Sequence, residues 1–186
     1  MDLIFLTNME RQYIILEQVR QKLSRQDRLT AKGKTVLLKS DMVWDQTWEQ
    51  LLASSCLTIF SLLGSSKDLE FAQKALQFVQ AKGLDHVVLA SVPAPEDTAA
   101  GVTAHDQALM QNYLLYSGQS NYENLWLWLG ATYCGKAAAW ENPQPVGWNG
   151  FIIPVLRCLS EILPLIRSSF VMLAAPRWGL SFPVMS

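Results

Sequence analysis

The sequence predicts an α/β domain, a three-layer open parallel sheet of Rossmann-like or flavodoxin-like type followed by a helical C-terminal part. Three observations predict it. Short apolar runs alternate with segments of helical period through roughly the first ninety residues. The runs are continuously apolar rather than alternating, as strands buried on both faces require. The segments between them are long enough for helices, and helical crossovers between parallel strands are the default for this pattern.

Each element follows in order. "LIFLT", residues 3–7, is a buried strand. Residues 10–23 place Tyr13, Ile14, Leu16, Val19 and Leu23 near helical spacing. "TVLLKS", residues 35–40, is a second strand, and residues 42–54 form a helix with Trp44, Trp48, Leu51 and Leu52 on one stripe. The strand at 57–63 lies within "CLTIFSLLG", which Gly64 ends. Residues 69–81 return to helix, with Phe71, Ala75, Leu76, Phe78 and Val79 on its apolar face. Gly83 follows as the residue that closes a helix in the left-handed conformation. "HVVLASV", residues 86–92, is the fourth strand. A loop rich in Pro, Asp, Thr and Gly spans 93–106. A helical hairpin spans about 106–133, broken at Ser117-Gly118. Residues 1–150 are expected to form the α/β domain, with 140–150 as a Pro- and Gly-rich loop. Residues 151–186 form an apolar segment expected to pack on the core or on a partner chain.

Composition narrows the functional classes. Half of the 186 residues are hydrophobic, 17% are charged and the net charge is −1. Such a chain can bury a full core, and it has no global field to recruit nucleic acid. Arg11, Arg20, Lys22, Arg25, Arg28, Lys32, Lys34 and Lys39 cluster in the first forty positions, as a solvated face or an anion-facing surface. Cys56, Cys134 and Cys158 show no CxxC spacing, which predicts free thiols in a reducing compartment. His86 and His105 make no recognisable metal motif with them, so no metal site is expected. The start of the sequence does not read as a secretory leader. Arg157, Glu161, Arg167, Pro154 and Pro164 interrupt the apolar tail, so no membrane span is expected. The expected location is the cytoplasm.

Two places could carry chemistry. In "LLGSSKDLE", Gly64 permits a tight turn and Ser65 with Asp68 fits a capping box. A helix starting at the carboxyl end of a parallel strand can bind an anion, so Gly64, Ser65 and Ser66 are candidate binding residues. The same turn is better explained as a helix cap, since no GxGxxG or GK(S/T) is present. Trp126 and Trp128 are the second candidates. Flat aromatic surface can stack on a planar ligand or anchor a partner, and it can also serve as core. Asp41, Asp45 and Glu49 at four-residue spacing would give one helix an acidic face. No residue is assigned a catalytic role.

The hairpin carries a family resemblance. Tyr113-Leu114-x-x-Ser117-Gly118-x-x-Asn121-x-x-Asn124 is similar to a pattern in the large subunit of cobaltochelatase. The large subunit of magnesium chelatase is similar but more distant. That family has Gly-Gly where this chain has Ser117-Gly118. On this reading Asn121 caps the second helix through its side-chain oxygen. "NPQPVGWNGFIIP" resembles the family's proline segment at Pro143, Pro145, Gly147 and Pro154, without its Tyr-His. The resemblance spans about residues 39–154.

The resemblance implies a head domain or shortened homologue of a cobaltochelatase-type large subunit. Its much longer relatives insert Co²⁺ or Mg²⁺ into a tetrapyrrole, driven by AAA+ ATPase partners. Tetrapyrrole and metal are implied only for the full-length family; this chain alone is expected to hold no cofactor and to be inactive. Two other classes stay open: a small-molecule or anion-binding α/β module, and a protein-interaction domain. The apolar tail also suggests a homodimer.

Overall fold

The computed structural model describes residues 2–28 and 32–145. Its elements run β1 (Asp2–Thr7), α1 (Glu10–Arg25), β2 (Lys32–Leu37), α2 (Gln46–Ala53), β3 (Ser55–Leu62), a 3₁₀ turn (Ser66–Asp68), α3 (Glu70–Ala81), β4 (His86–Ala90), α4 (Ala104–Tyr116) and α5 (Gln119–Tyr133). The four strands form one sheet in the order β2-β1-β3-β4, and every neighbouring pair is parallel. The expected Gly147, Pro154 and apolar segment 151–186 lie outside the described residues.

Strand periodicity sends alternate side chains to opposite layers. Leu3, Phe5, Leu57, Ile59, Val87 and Leu89 join α1, α4 and α5 in one core. Ile4, Leu6, Val36, Leu38, Phe60, Leu62 and Val88 join α2 and α3 in the other. Both cores draw on the central strands, so the strand runs have no polar face. The chain leaves β1 toward β2, then returns past β1 to β3, and the helical layer changes side with that reversal.

Several boundaries differ from the sequence expectation. β2 begins and ends three residues earlier than 35–40. Its register is set by the ladder to β1, which pairs Asp2 with Lys32, and Gly33 and Lys34 are recruited by main-chain bonds rather than by hydrophobicity. α2 starts at Gln46, not at 42, because the Asp45 carboxylate accepts the amides of Thr47 and Trp48 and fixes the helix start there. Asp41 therefore lies in a turn, and the acidic helix face does not form. Trp44 precedes the helix yet still packs against Phe71 and Phe78. α3 ends as expected: Gly83 has φ 63°, its amide reaches the Gln80 carbonyl, and the Leu84 amide reaches Val79.

The predicted free thiols are the clearest correction. Cys56, at the start of β3, is disulfide-bonded to Cys134, just past α5, with Cα atoms 6.2 Å apart. The two are 78 positions apart in sequence, a separation at which no spacing rule operates. Cys158 lies outside the described residues.

Candidate functional site

Sheets of this strand order bind ligands outside the carboxyl ends of the strands, where the order reverses, here between β1 and β3. Asn8 follows β1 at that point. Its side-chain NH₂ donates to the Leu63 carbonyl at 2.8 Å, and its oxygen accepts the Leu63 amide at 2.8 Å. The crevice is thus bridged by a side chain that imitates a strand partner.

The turn after β3 is equally engaged with the chain's own groups. Gly64 has φ 96°, and a Cβ there would lie 2.5 Å from the Asp68 carboxylate, so both backbone and space demand glycine. The capping box forms: the Ser65 amide donates to Asp68 at 2.6 Å, and the Ser65 hydroxyl accepts the Lys67 amide. It opens the three-residue 3₁₀ turn, however, and α3 itself begins later, at Glu70, without a side-chain cap. The Gly64 amide donates to the Ser91 hydroxyl at 2.8 Å. Ser66 is buried and its hydroxyl donates to Asp97, which also accepts the Ala94 amide at 2.8 Å. Lys67 pairs with Glu96 at 3.0 Å. The amides of Gly64 and Ser65 and the Ser66 hydroxyl, which would meet an anion, are therefore taken by Ser91, Asp68 and Asp97. The geometry is that of a cap that knits the loop after β4 to the end of β3.

Trp126 and Trp128 are core residues, not ligand platforms. Trp126 is 1% exposed, packs against Phe5, and donates its indole N–H to the Leu16 carbonyl at 3.3 Å. Gly33 lies against its ring so closely that a Cβ would come within 2.7 Å. Trp128 is 3% exposed, among Tyr113, Tyr133 and Trp140. Burial removes the free ring face that stacking needs.

The hairpin motif residues do converge, on a segment 17–28 positions away. Ser117 and Gly118 both have positive φ, 51° and 84°, and make the turn between α4 and α5. Gly118 occupies the capping position of α5, and no side chain caps that helix. Asn121 lies one turn in and is buried, so its expected capping role is replaced by another. Its NH₂ donates to the carbonyls of Ser117 at 2.7 Å and Gln144 at 2.8 Å, and its oxygen accepts the Gln144 amide at 2.9 Å. Asn124 accepts the Glu141 amide at 3.0 Å, and Tyr113 donates its hydroxyl to the Glu141 carbonyl. Burial, and then the nearby Glu141 charge, pushes the Tyr113 phenol up to about 12. Leu114 packs on the same core from its rim. The strap from Glu141 to Gln144 is therefore held by three side chains, and Pro145 directly follows it, exposed.

Sequence reasoning missed Asn8, Asp97, the strap and the disulfide. Only the strap had a signal, in the two asparagines three residues apart on one helix. Among the described residues, no group of three or more His, Cys, Asp and Glu side chains is placed to hold a metal ion. Among them too, no helix is long and apolar enough to cross a membrane.

Fold and site define an open α/β domain of flavodoxin-like strand order with an appended helical hairpin. No protein-family model and no curated protein matches the chain. In three dimensions it is similar to the catalytic subunit of cobaltochelatase from Mycobacterium tuberculosis, with TM-score 0.57 and 16% identity. The likeness covers 78% of this chain and 11% of that one, so this chain spans only a small part of the subunit whose fold it shares.

Proposed function

We propose that the chain is a head-type domain, or a shortened relative, of a cobaltochelatase-type large subunit. It would serve metal insertion into a tetrapyrrole, with Co²⁺ or Mg²⁺ as the substrate ion. The observation that carries this reading is the fold likeness to a cobaltochelatase subunit over 78% of the chain. It is supported by the resemblance of the Tyr113-to-Asn124 stretch to that family. The domain acts as a docking and architectural part rather than as the catalyst. Its candidate ligand mouth is bridged by Asn8, and the amides of Gly64 and Ser65 already have partners within the chain. Its partners would be the remaining chelatase subunits, including the AAA+ ATPase.

The test uses a cobaltochelatase large subunit from which the stretch similar to this chain has been deleted. Cobalt insertion into its tetrapyrrole is measured with the ATPase subunits, with and without this chain. Restored insertion and co-elution with the deleted subunit are expected. A chain that neither binds the deleted subunit nor changes insertion would overturn the proposal.

A further inference from the structure

We propose that Cys56 and Cys134 are a reversible thiol–disulfide couple that staples the end of the helical hairpin to the sheet. The two sulfurs join the first turn of chain after α5 to the amino end of β3. Their Cα separation of 6.2 Å lies within the range a disulfide spans without backbone movement. Both residues are only half-buried, at the rim of the larger core, so a small thiol or disulfide can reach them. The reduced state is accommodated as well. The Cys56 sulfur lies 3.5 Å from the Asp2 carbonyl, which can accept its S–H, and both side chains touch the core as small apolar groups. Opening the bond therefore leaves neither sulfur without a partner or a packed surface, as a reversible couple requires.

Its lever is the strap. Cys134 immediately precedes Gly135 and Lys136, and Lys136 begins the stretch that leads to the clamp at Glu141 and Gln144. With the bond formed, this stretch is held at both ends. With the bond open, the hydrogen bonds to Tyr113, Asn121 and Asn124, the Lys136 amide on the Gly130 carbonyl and the packing of Ala138 and Trp140 hold it, without the covalent tie beside Gly135. The chemistry balances with a small disulfide as oxidant. One cysteine thiolate attacks the small disulfide and expels one thiolate. The second cysteine then attacks the mixed disulfide and expels the other. Two protein thiols are oxidised and one small disulfide is reduced to two thiols.

The test equilibrates the full chain, and its Cys158→Ser variant, in glutathione buffers from reducing to oxidising. Free thiols are alkylated and peptides mapped. Oxidation should protect two thiols and yield one crosslinked peptide pair carrying Cys56 and Cys134, unchanged in Cys158→Ser. Trypsin cleavage after the exposed Lys136 should slow by about an order of magnitude on oxidation. The melting temperature should rise by roughly 5–15 °C, since the bond closes a loop of 78 positions. Cys56→Ser and Cys134→Ser should each show the reduced behaviour in every buffer. Full alkylation of both residues at the most oxidising ratio would overturn the proposal. So would a crosslink to Cys158 instead, or equal cleavage and melting in the two states.

Discussion

The side-chain amide of Asn121 meets the main chain of Gln144 in both directions, donating to its carbonyl at 2.8 Å and accepting its amide at 2.9 Å. A third bond returns to the Ser117 carbonyl, so a 3% exposed polar side chain has its donors and its acceptor occupied. This residue couples the hairpin turn to the strap. Replacing it with Ala removes all three bonds and leaves the Ser117 and Gln144 groups without these partners. Asn121→Ala should cost about 2–4 kcal/mol of stability, judged from the usual worth of buried hydrogen bonds. Urea unfolding measures the loss. Hydrogen exchange should show the Gln144 amide losing protection before the sheet does.

Gly33 and Trp126 form a contact that admits no side chain on β2 at that position. Gly33→Ala must displace the indole, whose Cζ3 would be 2.7 Å from the new Cβ. A cost of about 1–3 kcal/mol is expected from overpacking. Thermal unfolding reads it, and a changed tryptophan emission should accompany it because the ring has moved.

Gly64 and Gly83 separate backbone strain from steric conflict. Both have positive φ, but a Cβ at Gly83 meets nothing within 4 Å, whereas one at Gly64 meets the Asp68 carboxylate at 2.5 Å. Gly83→Ala should cost about 1 kcal/mol, the backbone penalty alone. Gly64→Ala should cost more, because it also disturbs the capping box. Equal losses in denaturant titrations would contradict the contact with Asp68.

Tyr113 should give the domain an alkaline limit. Its folded phenol is raised to about 12 from an ordinary 10. The folded state therefore keeps a proton that the unfolded state releases. The contribution is complete below about pH 10 and is lost as pH rises toward 12. Tyr113→Phe should flatten that part of the stability–pH curve, and absorbance at the phenolate band should lose one late-titrating tyrosine.

Glu17 works in the opposite direction. A hydrogen bond from Arg20 holds its carboxyl below the usual range, against the opposing effect of burial. Its contribution is present above the unfolded carboxylate range and is lost as pH falls through the lower, folded value. Glu17→Gln should lower stability at neutral pH by the worth of that hydrogen bond and flatten the acid limb of the same curve, leaving the difference from the parent chain constant above neutral pH.

The layers were legible because strands buried on both faces are apolar on both, and β1, β3 and β4 carry apolar runs at Leu3–Leu6, Ile59–Phe60 and Val87–Leu89, broken only by small or single polar residues such as Thr58, Ser61 and His86. β2 was legible only in part. Lys32, Gly33 and Lys34 join through main-chain pairing, and Gly33 is there for the Trp126 ring, a need that arises only across the fold. The start of α2 was misplaced because Trp44 fits the apolar stripe while Asp45 stops the helix. The hairpin turn at Ser117-Gly118 was readable as a break. Its polar logic was not, since Asn121 could be tied to Gln144 only once the strap had folded back. The pairing of Cys56 with Cys134 was invisible for the same reason: proximity came from topology, not from spacing.

The Asn8 amide has a consequence for how new activities could arise on this domain. Flavodoxin-order sheets usually leave an open mouth between their first and third strands, and many chemistries have been built there by changing loops alone. Here one side chain stands in that mouth as a gatepost. Shortening it to Gly would release the Leu63 amide and carbonyl, at a cost of about 1 kcal/mol for each bond lost. The Leu63 amide and carbonyl would then be without this partner at the point where the strand order reverses. One side chain, and not the length or composition of a loop, thus decides how much main chain this edge of the sheet presents.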